Sequence, residues 1–334
     1  MSTGPKVSVI TSSYNCDAYL SDCVASVLGQ SYDSWEHIII DCGSLDKSRQ
    51  TLDSLTHQRL RVLHEEFCGV GRARNIAIQH ASGEFCAILD ADDLALPDRL
   101  FSQVELLQHR PEVVAVGGGI QGLYYWNQSW ERTFRSKKMT IQYPYHDDGI
   151  KQFLSMALTP IPHSTLTFRK TAFQNIGGYR EAMEKAEDFD LVLRLSLNGS
   201  MAGVREPVSV IRVGSASSHT ARHRPLGRDH QYYAVLSLLF NTAGSCGVRC
   251  TQPEIEEWLD EIGKQGVSGL QGRWVYENIM AQRVGNLFAG QAAIPKAVLR
   301  FLPAIIACRN TPWWHAASSP QQLLKDYLFS GNRE

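Results

Sequence analysis

The chain has 334 residues, 43% hydrophobic and 20% charged, with a formal net charge of −1 and a pI near 6.8. This is the balance of a soluble globular protein, with no overall field to hold nucleic acid or anionic lipid. No apolar run approaches the roughly 18 residues of a transmembrane helix.

Eight cysteines without a C-x-x-C pair make neither a disulfide framework nor a zinc site, and point to a reducing, cytoplasmic setting. Cys16, Cys23, Cys42 and Cys86 fall in or beside apolar elements, where a thiol behaves as a small hydrophobe. Met1 to Lys6 leads into a strand with no signal-peptide core.

Val7 to Thr11 reads as a short strand, followed by a polar loop over Ser12 to Asn15. Asp17 is the expected N-cap of a helix with Leu20, Val24, Val27 and Leu28 on its apolar face. Trp35 to Ile40 is a second strand ending at Asp41, and Ser44 is expected to cap a helix carrying Leu52 and Leu55. Leu60 to Leu63 is a third strand, and Gly71 to Ala81 a helix.

Phe85 to Leu89 is a continuous apolar run, the mark of a buried parallel strand, and it ends in Asp90, Asp92 and Asp93. Pro97 opens a helix through Gln108, with Leu100, Val104 and Leu107 inward and Pro111 stopping it. This alternation predicts an α/β fold with a mostly parallel sheet flanked by helices.

Beyond it, Val113 to Trp126 reads as a strand pair, 127–150 as irregular, and Gly177-Gly-Tyr179 as a turn. Ala186 to Asn198 is an amphipathic helix burying Phe189, Val192, Leu193 and Leu195, and Val208 to Val213 is a strand. The small, basic stretch 214–228 is expected to be a loop that orders over a bound diphosphate. From Gln231 onward the pattern is helical, so the expected domains are 1–230 and a helical C-terminal extension, 231–334.

Three carboxylates within four residues repel one another. A hard divalent cation, Mg²⁺ or Mn²⁺, with a phosphate in its shell would resolve that repulsion, and a polar turn is the plainer alternative. The carboxyl ends of parallel strands are where open α/β sheets bind ligands.

Five motifs occur in order: Val7-Ser-Val-Ile-Thr-Ser-Ser-Tyr-Asn15, Ile38-Ile-Ile-Asp-Cys-Gly-Ser44, Gly71-Arg-Ala-Arg-Asn75, Leu89-Asp-Ala-Asp-Asp93 and Ala186-Glu-Asp-Phe-Asp190. Together they resemble the family 2 glycosyltransferases, inverting enzymes of the GT-A fold that use nucleotide-diphosphate sugars. The resemblance covers about residues 6–215 and none of the last hundred. Cys42 departs from the commoner D-D-G-S or D-G-G-S, keeping the first carboxylate and losing a second polar contact.

The resemblance implies that Asp188 is the general base for the acceptor hydroxyl and that Asp41 recognises the base, as a carboxylate accepting an imide N–H can. Thr11, Tyr14 and Asn15 would line the nucleoside pocket, with Tyr14 free to stack. Arg72 and Arg74 would meet the diphosphate, because cations at a helix start need an anion to explain them. Asp90 and Ala91 complete the donor contacts, and Asp92 holds the metal with Asp90 or Asp93 assisting.

His163 and His219 are candidate diphosphate, metal or acceptor contacts, and His219 is expected to join Asp92 as a metal ligand. Asp190 is expected to cap or salt-bridge. The expected reaction moves a sugar from a nucleotide-diphosphate donor, a UDP-sugar, to a saccharide, lipid-linked or protein acceptor.

A GT-A-like nucleotidyltransferase would want a Gly-rich basic loop after the first strand, which Ser12 to Asn15 is not. A non-catalytic nucleotide-sugar or carbohydrate-binding module would tolerate loss of a carboxylate. Gly117-Gly-Gly-Ile-Gln-Gly122 satisfies a dinucleotide motif, but an aromatic strand rather than a helix follows it. Cys246 and Cys250 lack partners at zinc spacing.

In the extension, Ala297 to Ala307 and Trp313-Trp314 allow a weak, peripheral membrane contact, with a core helix the favoured reading. The extension is expected to serve as an acceptor or partner platform.

Overall fold

The structure is a computed structural model that describes residues 4–124, 139–141, 144–150, 160–181, 183 and 186–213. The expectations for the 214–228 loop, His219, Cys246, Cys250, the extension and most of 127–150 lie outside the described residues.

The elements run β1 (Val7–Ser13), α1 (Asp17–Leu28), β2 (Trp35–Cys42), α2 (Ser48–Ser54), β3 (Leu60–Glu65), α3 (Val70–Gln79), β4 (Phe85–Ile88), β5 (Leu94–Ala95) and α4 (Arg99–His109). They continue with β6 (Val113–Tyr124), β7 (Met139–Ile141), a 3₁₀ turn (His163–Thr165), β8 (Thr167–Arg169), α5 (Lys170–Asn175), α6 (Glu187–Asn198) and β9 (Ser200–Val213).

Among the described residues the strands form one sheet in the order β3-β2-β1-β4-β8-β6-β9-β5, with β7 beside β6. The first four are parallel, and the register Ser13↔Asp41 brings the ends of β1 and β2 level. The chain winds outward from β1 through β2 to β3, then returns to place β4 on the other side of β1. That reversal opens a crevice at the carboxyl ends of β1 and β4, the place where such sheets bind ligands.

Beyond β4 the sheet is mixed. β8 runs antiparallel to both β4 and β6, and β9 runs parallel to β6. β5 pairs antiparallel with β9 through Leu94↔Val210, so the turn 90–93 carries the chain from the middle of the sheet to its far edge.

The core explains the apolar runs. Val7, Val9, Phe85, Ala87 and Leu89 pack against Val27 of α1 and Leu100, Val104 and Leu107 of α4. Leu20, Val24, Ile39, Leu52 and Ala91 form a second cluster. Each large apolar side chain buried this way contributes about 1.5–3 kcal/mol. Cys16, Cys23, Cys42 and Cys86 are buried, as small hydrophobes are.

Several local expectations change. Leu28 is 43% exposed, because α1 ends there and turns its last residue outward. Asp17 is the first residue of α1 rather than its cap, and its Oδ1 accepts the Thr51 hydroxyl at 2.5 Å. Ser44 does not cap α2; Asp46 Oδ1 accepts the Ser48 N–H at 2.9 Å instead.

Val113–Tyr124 is one strand rather than a pair, and β9 begins at Ser200. Its glycines are packing residues. A Cβ on Gly117 would stand 2.6 Å from Ile161 Cγ2, and one on Gly118 2.6 Å from Val208 Cγ2.

Candidate active site

At the end of β1 the chain turns through Tyr14 and Asn15, the latter at φ 53°. Asn15 Oδ1 accepts the N–H of Leu45 at 2.8 Å, and the Asn15 N–H donates to Ser44 Oγ at 3.0 Å, which locks the loops after β1 and β2 into one rim. The Tyr14 ring meets the Phe67 ring edge-on at 5.1 Å, and Phe67 is 73% exposed. Gly43, at φ 74°, lets this rim close: a Cβ there would lie 2.8 Å from the Phe67 nitrogen.

Thr11 lies deeper. Its hydroxyl is fully buried and hydrogen-bonded to His37 Nε2 at 2.9 Å, and burial holds that imidazole down to about 3.

Asp41 is fully buried at the end of β2. Its Oδ2 accepts from Arg49 Nε at 3.2 Å, while Oδ1 has no hydrogen-bond partner among the described residues. A buried acceptor left this way costs about 1–3 kcal/mol, which an arriving N–H donor would remove.

The acidic turn sorts its three carboxylates. Asp93 points inward: Oδ2 shares a hydrogen bond with Ser164 Oγ at 2.5 Å, and Oδ1 accepts from the Arg212 N–H at 3.0 Å. Burial, with Asp92 and Asp90 nearby, pushes Asp93 well above the usual carboxylate range. Asp90 accepts from Arg74 Nη2 at 2.7 Å and from Ser164 Oγ at 2.9 Å. Burial opposes its charge, but the Arg74 guanidinium prevails and holds it below its ordinary value. Ala91 packs its methyl among Leu20 and Leu52, leaving its main chain as the contact it can offer a ligand.

Asp92, like Asp90, is half-buried, and Arg212 Nη1 grips its main-chain carbonyl at 2.8 Å. Arg99, buried beneath the turn, adds positive charge from α4 while bonding the Ile88 carbonyl at 2.7 Å. The chain's own arginines therefore offset part of the repulsion seen in the sequence, and Asp93 still feels the other two acids.

The same turn still fits a hard cation. Among the described residues no three His, Cys, Asp or Glu side chains form a cage. Asp92 at an open turn suits a cation that takes much of its shell from a diphosphate and water.

Opposite the turn, α6 opens with Glu187 and Asp188, anchored by the fully buried Phe189 and Val192. Asp188 is half-buried, and its Oδ1 accepts the Phe189 N–H at 2.7 Å. Arg74 spans the gap: Nη1 donates to Glu187 Oε1 at 2.9 Å while Nη2 holds Asp90. Burial and the neighbouring Asp188 push Glu187 up to about 7 against the pull of Arg74. Asp190 turns into the core and pairs with Arg180 and Arg194 at 2.5 and 2.7 Å.

The structure thus brings Arg74, Asp90, Glu187 and Asp188 together, with Tyr14, Asn15 and Asp41 on the neighbouring strand ends. The two arginines of the Gly71 motif part company. Arg72 is exposed, 3.8 Å from Glu181, whereas protein carboxylates account for Arg74 without any ligand. His163 is a wall rather than a phosphate contact: Nε2 bonds the Tyr179 hydroxyl at 2.8 Å, and burial with nearby Arg74 holds it down to about 4, uncharged.

Ser164, Arg212 and Arg99 went unforeseen. An arginine inside the apolar run Val208 to Val213 was the one visible signal, since a cation there needs a buried partner.

A family model described as "Glycosyl transferase family 2" matches residues 8–177. EpsE of Bacillus subtilis is 32% identical over 206 residues, covering 60% of this chain and 69% of EpsE. The UDP-Glc:alpha-D-GlcNAc-diphosphoundecaprenol beta-1,3-glucosyltransferase WfgD of Escherichia coli is 36% identical over 102 residues, 30% of this chain. That match spans only 40% of WfgD, well under two thirds of its length.

Among solved structures, S. aureus TarS residues 1–349 in complex with UDP-GlcNAc aligns with a TM-score of 0.61 at 15% identity, over 97% of this chain and 92% of that one. The mannosyltransferase PcManGT of Pyrobaculum calidifontis, in complex with GDP-Man and Mn²⁺, aligns at 0.50 and 18% identity, over 98% of this chain and 88% of that one. The structural likeness establishes the GT-A fold, and the family match over half the chain establishes descent: this protein is a member of glycosyltransferase family 2.

Proposed function

We propose that the protein is an inverting transferase that moves a sugar from a UDP-sugar to the hydroxyl of a saccharide or lipid-linked glycan. The observation that carries this reading is the Arg74 bridge, which ties the acidic turn to the residue beside Asp188 through contacts of 2.7 and 2.9 Å. A donor held at the turn thereby has a half-buried carboxylate on its acceptor side.

Asp41 Oδ1 would accept the imide N–H of uracil, and Tyr14 with Phe67 would flank the ring. Asn15, Arg72, Asp90 and the Ala91 main chain complete the donor site, with Thr11 supporting it from below. Asp188 would take the acceptor proton as that oxygen attacks the anomeric carbon from the face opposite the nucleotide. Asp92 would hold Mn²⁺ or Mg²⁺. When bound, the cation offsets charge growing on the departing diphosphate. The UDP-GlcNAc complex of TarS, the UDP-Glc donor in the name of WfgD and the Mn²⁺ in PcManGT support these choices.

A nucleotidyltransferase is disfavoured, because Asn15 spends its side chain closing the rim where that chemistry needs a phosphate loop. Residues 231–334 would form a separate acceptor platform, and the setting would be cytoplasmic. No helix among the described residues is long and apolar enough to cross a membrane.

The test is nucleotide release from a panel of UDP-, GDP- and dTDP-sugars with Mn²⁺, with and without saccharide acceptors. Release from UDP-sugars is expected. No release from any donor under any of these conditions would overturn the assignment.

A further inference from the structure

We propose that Arg74 is a positioning residue of the transfer reaction: one guanidinium, holding both Asp90 and Glu187, sets where the base Asp188 stands against the donor turn. This rests on the assignment of Asp188 as base.

The start of α6 needs such an anchor. The chain enters the helix through Ala186 at φ 55°, a left-handed conformation that a residue with a Cβ adopts at a cost, and no side-chain cap bond forms there. The Arg74–Glu187 pair supplies the missing restraint at the first helical residue.

Arg74 is itself fixed. Its side chain is only 6% exposed, and its guanidinium lies 5.7 Å from the centre of the Tyr179 ring. The next residue, Asn75, clamps the Tyr179 main chain by two 2.9 Å bonds. Gly178, at φ 75°, admits that clamp, since a Cβ would stand 2.8 Å from Asn75 Oδ1.

The bridge also bears on the charge of Glu187. Two adjacent carboxylates open α6. Facing Glu187 are Arg74 from α3, Asp188 on its own helix and Tyr179 from the turn, with Asp90 beyond Arg74 and His163 beyond Tyr179. Burial and Asp188 push Glu187 up to about 7 against the pull of Arg74. Arg74 occupies Glu187 Oε1 and ties this carboxylate to α3. Without the guanidinium, Glu187 would become a buried acid that keeps its proton at neutral pH.

The experiment uses the full chain with Arg74→Gln, Arg74→Lys, Glu187→Gln and the Arg74→Gln/Glu187→Gln double variant. UDP affinity in Mn²⁺, by calorimetry, should stay within about three-fold of wild type, while turnover at saturating donor falls about 10²-fold in Arg74→Gln. Lysine should restore little, because a single ammonium does not reproduce the fork. In the double variant the turnover loss should fall short of the product of the two single losses.

Carboxyl ¹³C NMR of metal-free protein labelled at glutamate Cδ gives a readout independent of activity. The Glu187 resonance, identified by its loss in Glu187→Gln, should titrate at higher pH in Arg74→Gln. Collapse of UDP affinity with unchanged saturated turnover would make Arg74 a donor contact and overturn the proposal, as would an unmoved Glu187 midpoint. Should Arg74→Gln fail to fold, Arg74→Lys carries the same two measurements. A wild-type chain that releases no nucleotide would instead overturn the transferase reading, and the NMR titration would still decide whether Arg74 holds Glu187.

Discussion

Arg212 reaches from β9 to donate from Nη1 to the Asp92 main-chain carbonyl at 2.8 Å, fixing the turn while leaving the Asp92 carboxylate half-exposed. Its own N–H is taken by Asp93, so one residue of a distant strand orients two of the three acids. Asp93 is turned into the core, Asp90 is bound to Arg74 and Ser164, and Asp92 is the carboxylate proposed to hold the cation.

Asp92→Ala should abolish the enhancement of UDP binding by Mn²⁺ and leave the fold intact, because Arg212 holds the turn through the Asp92 main chain, which the substitution keeps. Calorimetry with Mn²⁺ and with EDTA checks it. Equal UDP affinity under both conditions in wild type and variant would count against a metal at this turn.

Asp188→Asn retains the side-chain shape and removes the proton acceptor. Transfer should drop by about 10²–10⁴-fold with donor binding little changed, since a base acts in the transition state rather than on the bound nucleotide. Transfer at the wild-type rate would place the base elsewhere, with Glu187 next in line.

Asp190→Asn should be a stability variant. Its carboxylate is fully buried between Arg180 and Arg194, and removing it strands two buried cations. Breaking a buried pair in this way costs about 3–5 kcal/mol, readable as a lower urea midpoint by circular dichroism. An unchanged midpoint would show that water compensates the arginines.

Acid should destabilise the protein partly through His37. Burial holds its imidazole down from 6.5 to about 3. The unfolded chain therefore binds this proton at a higher pH than the folded one. Its contribution is full above the unfolded value and is lost as pH falls through that window toward the folded one, by up to about 1.4 kcal/mol per pH unit. His37→Gln keeps a group able to meet Thr11, and its urea midpoint should fall less than that of wild type between about pH 7.5 and about pH 5. Identical pH slopes would exclude His37 as the sensor.

Much of this protein was legible in its sequence, for a local reason. Apolar runs such as Ile38 to Ile40 and Phe85 to Leu89 must be buried on both faces, so they announce central parallel strands, and the acids that follow them fall at the ligand edge of the sheet. Asp41, Asp90 and Asp92 could be named because each follows such a run, and Asp188 because its motif resembles that of the family. Only the tertiary structure decided what surrounds them. Arg74 and Glu187 are 113 residues apart, Arg212 and Asp92 120, and Ser164 and Asp90 74. No periodicity links such pairs, so their meeting depends on how the mixed half of the sheet folds back on the parallel half. Three clustered acids read in isolation as a demand for a cation, and the folded chain adds arginines that offset part of their repulsion, because opposite charges drawn from distant elements hold one another out of water.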